Sequence, residues 1–153
     1  MVTSDEQQIL NLMYRYMEAT DDGDFATRAQ LFEHATIVFP EPMGSLTGGD
    51  AIAANFASRQ RLYDGIPRTS HICTNVHIEI SADRSEARAR SRYLVLQETE
   101  DLPLQPIITG RYHDRFERVD GAWRFAERRF VVDLVGDMSA HHQAGVTHAR
   151  DLR

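Results

Sequence analysis

The chain has 153 residues, of which 42% are hydrophobic and 26% charged, and these values are ordinary for one globular domain. Its formal net charge of -6 argues against nucleic acid and anionic membranes as partners, because both need a basic protein surface. All 17 basic residues are arginines, so the chain has no lysine for Schiff-base catalysis, pyridoxal phosphate attachment or a P-loop.

The first part of the chain predicts three helices. Ser4 begins a capping-box pattern, and apolar residues at helical spacing follow it to about residue 20. Asp24 can cap a second helix, in which Phe25, Ala29 and Phe32 recur on one side. A third helix is predicted from the Gly48-Gly49-Asp50 segment to a loop that contains Gly65 and Pro67.

The second part of the chain predicts a sheet. Four long strands with turn residues between them suit an antiparallel meander, and Asp120-Gly121 is the strongest hairpin signal. Helices followed by such a meander indicate an α+β fold, with the helices packed on one face of the sheet. With a short hairpin before the third helix, the predicted strands cover residues 35–40, 45–47, 70–80, 86–98, 104–118 and 122–134.

His71 is the first candidate for chemistry, because histidine transfers protons near neutral pH and this one opens a predicted strand. Strict alternation places His71 on the polar side of that strand, opposite Ile72 and Val76. It therefore faces a cavity only if the cavity accepts the polar side, or if a β-bulge turns the strand. The ordinary alternative is a structural or exposed histidine.

Asp21 ends the first helix, where a carboxylate opposes the helix dipole and needs a partner such as His71. Tyr16 lies on the buried side of that helix, where its phenol is either a core aromatic or a donor to a leaving oxygen. Arg128 shares a strand face with Phe130 and is either solvated or buried against a carboxylate or an anionic substrate group.

Neither a metal nor a cofactor is expected. The spacing of His141, His142 and His148 matches no established metal site, and no nucleotide-binding glycine loop or nucleophile elbow is present. Cys73 is the only cysteine, which excludes an intrachain disulfide and cysteine-cluster metal sites. With no signal-peptide pattern and no apolar run long enough to span a membrane, we expect a cytoplasmic protein.

Three segments resemble SnoaL-like domains of the NTF2-like superfamily. They are residues 14–21, residues 70–75 and residues 112–125, the last with an Arg-x-Asp-Gly-x-Trp-type hairpin. The resemblance extends to about residue 135 and implies a cone, in which N-terminal helices pack on a curved, mostly antiparallel sheet that encloses a cavity. It predicts a domain at residues 1–135, and residues 136–153 then form a tail, either a short helix or a flap.

The nearest branch of that superfamily includes scytalone dehydratase, hexachlorocyclohexane dehydrochlorinase and bile-acid 7α-dehydratase, whose cavities hold an Asp–His pair. The resemblance implies that Asp21 and His71 are this pair and that Arg128 assists. Tyr16 lies where the bile-acid dehydratase has a tyrosine and the dehydrochlorinase a lysine, which favours a dehydratase. The sequence identifies no counterpart of the second cavity histidine of scytalone dehydratase.

These features predict a cofactor-independent lyase that acts on a small cyclic or carbonyl-containing substrate. His71 is the base, Asp21 orients it, and Tyr16 or Arg128 assists the leaving group. A mostly apolar pocket is expected to select a hydrophobic, ring-sized molecule. The residues predicted to line it are Phe39, Tyr93, Ile108, Tyr112 and Phe130.

Other functions of the same fold stay open at this point. One is a non-catalytic assembly module, like the β subunit of ring-hydroxylating dioxygenases, and another is a ligand-binding module. A third is an isomerase-like or polyketide-cyclase-like enzyme with a carboxylate base in the same cavity. The resemblance also implies a homo-oligomer, either a dimer or a trimer, formed through the sheet.

Overall fold

A computed structural model describes residues 3–143 and confirms the three predicted helices. The Ser4 hydroxyl caps the first helix, and the Asp24 carboxylate caps the second, each by accepting a hydrogen bond from a backbone N–H three residues later. The helices are α1 (Asp5–Asp21), α2 (Phe25–Leu31) and α3 (Gly49–Arg59).

Six strands form one curved, unclosed sheet with the order β2-β1-β6-β5-β4-β3. The four long strands make the predicted antiparallel meander, and the short hairpin β1-β2 joins it because β1 pairs in parallel with β6. The α+β prediction is therefore confirmed. The strands are β1 (Thr36–Val38), β2 (Ser45–Thr47), β3 (Thr69–Ile80), β4 (Glu86–Thr99), β5 (Leu102–Val119) and β6 (Ala122–Val135).

A β-bulge in β3 decides which way His71 points. Asn75 has a left-handed φ of 54°, and the register with β4 shifts between Thr74 and His77. On the N-terminal side of the bulge His71 is the inward residue and Ile72 is 39% exposed, whereas His77 beyond it is exposed. Strict alternation would have placed both histidines on one side. His71 therefore faces inward because a β-bulge turns the strand, and not because the cavity accepts the polar side of a regular strand.

The core lies between the inner side of the sheet and the helices. Apolar residues of α1 at helical spacing, including Ile9 and Met13, are fully buried there. Phe32 stacks on Phe125 with 4.7 Å between ring centroids, so α2 is packed on the sheet as well. No helix among the described residues is long and apolar enough to cross a membrane.

The segment after β6 turns back over the end of α3. The backbone N–H of Arg61 donates to the carbonyl of His141 (2.9 Å), and the N–H of Gln143 donates to the carbonyl of Arg59 (2.8 Å). The first part of the predicted tail, residues 136–143, is thereby placed against the domain. The remainder, with His148, lies outside the described residues.

Candidate active site

A cavity of about 150 Å³ lies between the inner side of the sheet, α1, α3 and the segment after β6. An engineered apolar cavity of similar volume holds a benzene molecule, so this space suits a ligand of about one ring. The structure places all five apolar and aromatic residues that were expected to line a pocket at its wall, namely Phe39, Tyr93, Ile108, Tyr112 and Phe130.

Asp21 and His71 meet at the edge of this cavity. Oδ1 of Asp21 is 2.5 Å from Nδ1 of His71, and Oδ2 accepts the backbone N–H of the same histidine at 2.7 Å. Oδ1 also accepts the hydroxyl of Thr69 at 2.7 Å. Since an ionised carboxylate only accepts, the imidazole carries its proton on Nδ1 and leaves Nε2 for the cavity that His71 lines.

Two structural features create this pair. Asp21 is the last residue of α1. Its carboxylate accepts hydrogen bonds from Thr69 and from the backbone of His71, at the start of β3. The bulge at Asn75 then permits His71 to face inward, where its side chain is only 9% exposed. The pair therefore depends on long-range strand geometry as well as on the two residues.

Tyr16 also lines the cavity, five residues before Asp21 in α1. Its ring makes edge-on contacts with Phe32 and Tyr112, at centroid distances of 5.6 and 6.3 Å. Its hydroxyl makes no hydrogen bond to a residue within 3–143. Among the described residues the phenol is thus held by its ring alone, and none of them occupies its O–H.

Arg128 is not among the residues that line the cavity, whereas a direct role in leaving-group departure requires contact with the ligand. It is fully buried and donates from Nε and Nη2 to the two oxygens of Asp114, at 2.8 and 2.7 Å. Its guanidinium packs 4.3 Å from the Tyr16 ring and 4.1 Å from the Tyr112 ring, behind the cavity wall. Burial lowers the pKa of Arg128, but Asp114 more than offsets this, and the pKa ends above its usual value. Arg128 therefore packs on the two tyrosine rings and is not among the residues that line the cavity.

The sequence did not identify Arg28 of α2, which also lines the cavity. The residue is 1% exposed, and burial lowers the pKa of its guanidinium. The group lies 3.8 Å from the Phe56 ring and donates weakly to Thr20 and Gln60, over distances of 3.3 to 3.4 Å. Arg28 falls between Phe25 and Phe32 at helical spacing. This spacing was the available signal that its side chain shares the buried face of α2.

His141, in the segment after β6, is a second histidine at the cavity. Its Nδ1 is buried without a hydrogen-bond partner among the described residues. Burial, followed by the neighbouring His142, lowers the pKa of His141 to about 3, so its imidazole is neutral at physiological pH. The segment has no periodic pattern, and for this reason the sequence offered no signal for its position. Within residues 3–143, no three His, Cys, Asp or Glu residues lie together as a metal site.

Solved structures with the same fold include enzymes. A Mycobacterium tuberculosis protein of unknown function is 26% identical, with a TM-score of 0.68 over 84% of this chain and 71% of that chain. A candidate scytalone dehydratase from Novosphingobium aromaticivorans is 24% identical, with a TM-score of 0.69 over 94% and 95% of the two chains. A hexachlorocyclohexane dehydrochlorinase from Novosphingobium barchaimii is 20% identical, with a TM-score of 0.67 over 94% and 92%.

These likenesses, together with an NTF2-like protein among the similar structures, confirm the predicted NTF2-like cone. No curated protein sequence matches the chain. A model of the SnoaL-like domain matches residues 1–129, which is most of the chain. The chain therefore belongs to the SnoaL-like domain family.

Proposed function

We propose that the protein is a cofactor-independent lyase of the dehydratase type, acting on a small cyclic substrate with a carbonyl group. The observation that carries this proposal is the contact of 2.5 Å between Asp21 and Nδ1 of His71, at the wall of an apolar cavity. A carboxylate in this position fixes the imidazole tautomer and stabilises the imidazolium that forms when Nε2 accepts a proton.

The reaction begins when Nε2 of His71 takes a proton from the carbon next to the substrate carbonyl. The electron pair of that C–H bond forms a C=C bond, and the C–O bond on the neighbouring carbon breaks with its electrons on oxygen. The hydroxide leaves as water with the proton that His71 removed, passed directly or through the Tyr16 hydroxyl. No oxidant, reductant or other co-reactant is needed.

A purely structural role explains the Asp21–His71 contact less well. The bonds from Asp21 to Thr69 and to the backbone of His71 already join α1 to β3. The third bond, to the imidazole, adds nothing to that connection, yet it orients a side chain at the cavity wall. A ligand-binding module without chemistry would have no use for an oriented base.

An isomerase-like or cyclase-like reaction with a carboxylate base is less well supported. No Asp or Glu side chain within residues 3–143 lines the cavity, since Asp21 lies behind His71. The names of the candidate dehydratase and of the dehydrochlorinase among the similar structures both denote elimination of a small molecule, which supports the lyase class. Within the lyase class, Tyr16 lies where the resemblance gives the dehydrochlorinase a lysine and the bile-acid dehydratase a tyrosine. This favours loss of water over loss of hydrogen chloride.

The test is a dehydration assay with 3-hydroxycyclohexanone and related one-ring β-hydroxy carbonyl compounds, in which the conjugated product is measured by its ultraviolet absorbance. We expect turnover by the wild type and a loss of about 100- to 10,000-fold in kcat for His71→Ala, because a positioned base contributes that much. The matched control is His77→Ala, which removes an exposed histidine from the same strand beyond the bulge.

Unchanged turnover in His71→Ala, or an equal loss in His77→Ala, would contradict the assignment of the base. Absence of turnover by the wild type with every member of the set, together with tight binding of one of them, would support a ligand-binding module instead.

We further propose that the protein works in the cytoplasm as a homo-oligomer, either a dimer or a trimer. The single cysteine, which lies in β3 as a free thiol, supports a reducing compartment. The oligomer follows from the family resemblance, which implies a contact through the sheet, and Leu104 of β5 and Leu134 of β6 are exposed on that sheet at 66% and 64%.

A further inference from the structure

The charge on the cavity wall is one-sided. Two arginines, Arg28 and Arg59, line the cavity, whereas no carboxylate of the described residues does. Of the three histidines at the wall, His141 is neutral and adds no charge. The chain as a whole has the opposite sign, with a net charge of -6. An electropositive and otherwise apolar pocket in an acidic protein raises the local concentration of anions and not of cations.

Arg28 is the more informative of the two arginines, because it is buried without a counter-ion. It makes no ion pair with any residue in the part of the chain that the structure describes. Its Nε is buried and has no hydrogen-bond partner there, and its three other contacts are long, at 3.3 to 3.4 Å. Buried charges in proteins are normally paired, since an unpaired one loses its hydration without compensation.

Nearby aromatic rings stabilise Arg28 but do not neutralise it. The guanidinium carbon lies 3.8 Å from the Phe56 ring centroid and 5.0 Å from that of Phe25. Such contacts orient the planar group and leave its N–H bonds available at the edge. The guanidinium is therefore held in place, while no carboxylate of residues 3–143 compensates its charge.

Arg59 extends this positive region. It is the last residue of α3, and its half-buried side chain lines the same cavity without an ion pair to a described residue. The following residue, Gln60, is the amide that touches Arg28. The end of α3 thus brings a second cation to the same cavity.

We propose that Arg28, assisted by Arg59, binds a carboxylate group of the ligand in this cavity. A planar carboxylate matches the planar guanidinium through two parallel N–H···O bonds. The mostly apolar wall supplies few further donors, which favours the two oxygens of a carboxylate over the larger oxygen set of a phosphate. The apolar wall contacts the ring of the ligand, so the ligand class is a one-ring carboxylic acid. The inference deepens the proposed function, since it names the substrate class of the same cavity.

The test is calorimetric titration of the purified full chain with matched pairs of ligands, namely benzoate against benzamide, phenylacetate against phenylacetamide, and phenyl phosphate for comparison. We expect the wild type to bind at least one carboxylate roughly 10- to 100-fold more tightly than its amide, as a charge-assisted pair of hydrogen bonds does. Arg28→Gln should abolish this preference, and Arg59→Gln should reduce it.

The matched control is Arg90→Gln, which changes the net charge equally on an exposed strand position away from the cavity. It should keep the wild-type preference. If Arg28→Gln fails to fold, Arg59→Gln still decides the outcome, because its half-buried side chain lies at the end of a helix. Equal binding of acids and amides by the wild type, no binding of any carboxylate, or tighter binding of phenyl phosphate would each overturn the proposal.

A variant of the base separates this proposal from the proposed function. His71→Ala should lose turnover and keep the preference for carboxylates. A preference for carboxylates together with unchanged turnover in His71→Ala would refute the lyase mechanism alone. Loss of turnover in His71→Ala without any preference for carboxylates would refute the anion site alone.

Discussion

Within residues 3–143 two arginines are buried, Arg28 and Arg128, and they differ in whether a carboxylate pairs with them. Arg128 is 0% exposed and has both oxygens of Asp114 within 2.8 Å, whereas Arg28 is 1% exposed and has only a hydroxyl and an amide, at 3.3 to 3.4 Å. Both guanidinium groups also pack on aromatic rings. Because burial and aromatic packing are alike, the missing carboxylate is what distinguishes Arg28.

The positions of the two arginines fit this difference. Arg128 lies behind the cavity wall, where no ligand can supply a counter-ion, and the fold supplies one through the cross-strand pair Asp114–Arg128. Arg28 lies on the wall, where a ligand can. A buried charge that the fold pairs with a counter-ion is structural. A buried charge that lies at a cavity without a counter-ion indicates that the ligand carries the opposite charge.

The largest effect should come from breaking the complete pair. Asp114→Asn leaves Arg128 buried without a counter-ion and should lower the free energy of unfolding by roughly 3–5 kcal/mol in urea titrations. Arg28→Met is the matched comparison, because it removes a buried arginine that has no ion pair, and it should cost about 1 kcal/mol or less.

Adding Arg128→Met to Asp114→Asn should recover part of the lost stability, since no unpaired charge then remains. A cost for Arg28→Met equal to that of Asp114→Asn would show that the two arginines do not differ in this way.

A smaller effect is expected from completing the incomplete site. Gln60→Glu places a carboxylate where the side-chain oxygen of Gln60 already contacts both Nη atoms of Arg28. We expect the ligand-free protein to gain about 1 kcal/mol, or about 2–4 °C in Tm, because a neutral hydrogen bond becomes a charged one. The same variant should lose the preference for carboxylate ligands, since the site then has its own anion.

Gln30→Glu is the control for this substitution, because it adds the same charge at an exposed position of α2. It should leave both the Tm and the ligand preference near the wild-type values. A Gln60→Glu variant that is less stable than the wild type and still prefers carboxylates would show that Arg28 is already compensated.

Most of the fold could be predicted from the sequence, because periodicity and turn residues are local properties. The three helices, the hairpin and the meander all follow from such patterns. The bulge in β3 could not be decided, since a left-handed φ at Asn75 is permitted to asparagine but not required of it. The parallel pairing of β1 with β6 likewise depends on the whole sheet.

The candidate site was predicted less completely. Asp21 and His71 were identifiable because a helix-terminal carboxylate needs a partner and because the family resemblance points to both. The partner of Arg128 depends on strand register, which alternation does not determine. Arg28 has the spacing of a buried residue, but spacing alone does not show that a charged side chain is buried at a cavity. His141 lies in an irregular segment, so neither its position nor its burial had a sequence signal.

Proton removal by His71 can be measured without knowledge of the leaving group, through exchange of substrate hydrogen with deuterium from D2O. A suitable compound is 4-oxocyclohexanecarboxylate, which has one ring, hydrogens next to a carbonyl and a carboxylate for Arg28. We predict that the wild type accelerates exchange at the carbons next to the ketone, and that His71→Ala lowers this rate by about 100- to 10,000-fold. Exchange that is equally fast in the two proteins, or no faster than in buffer alone, would contradict the role of His71 as a base.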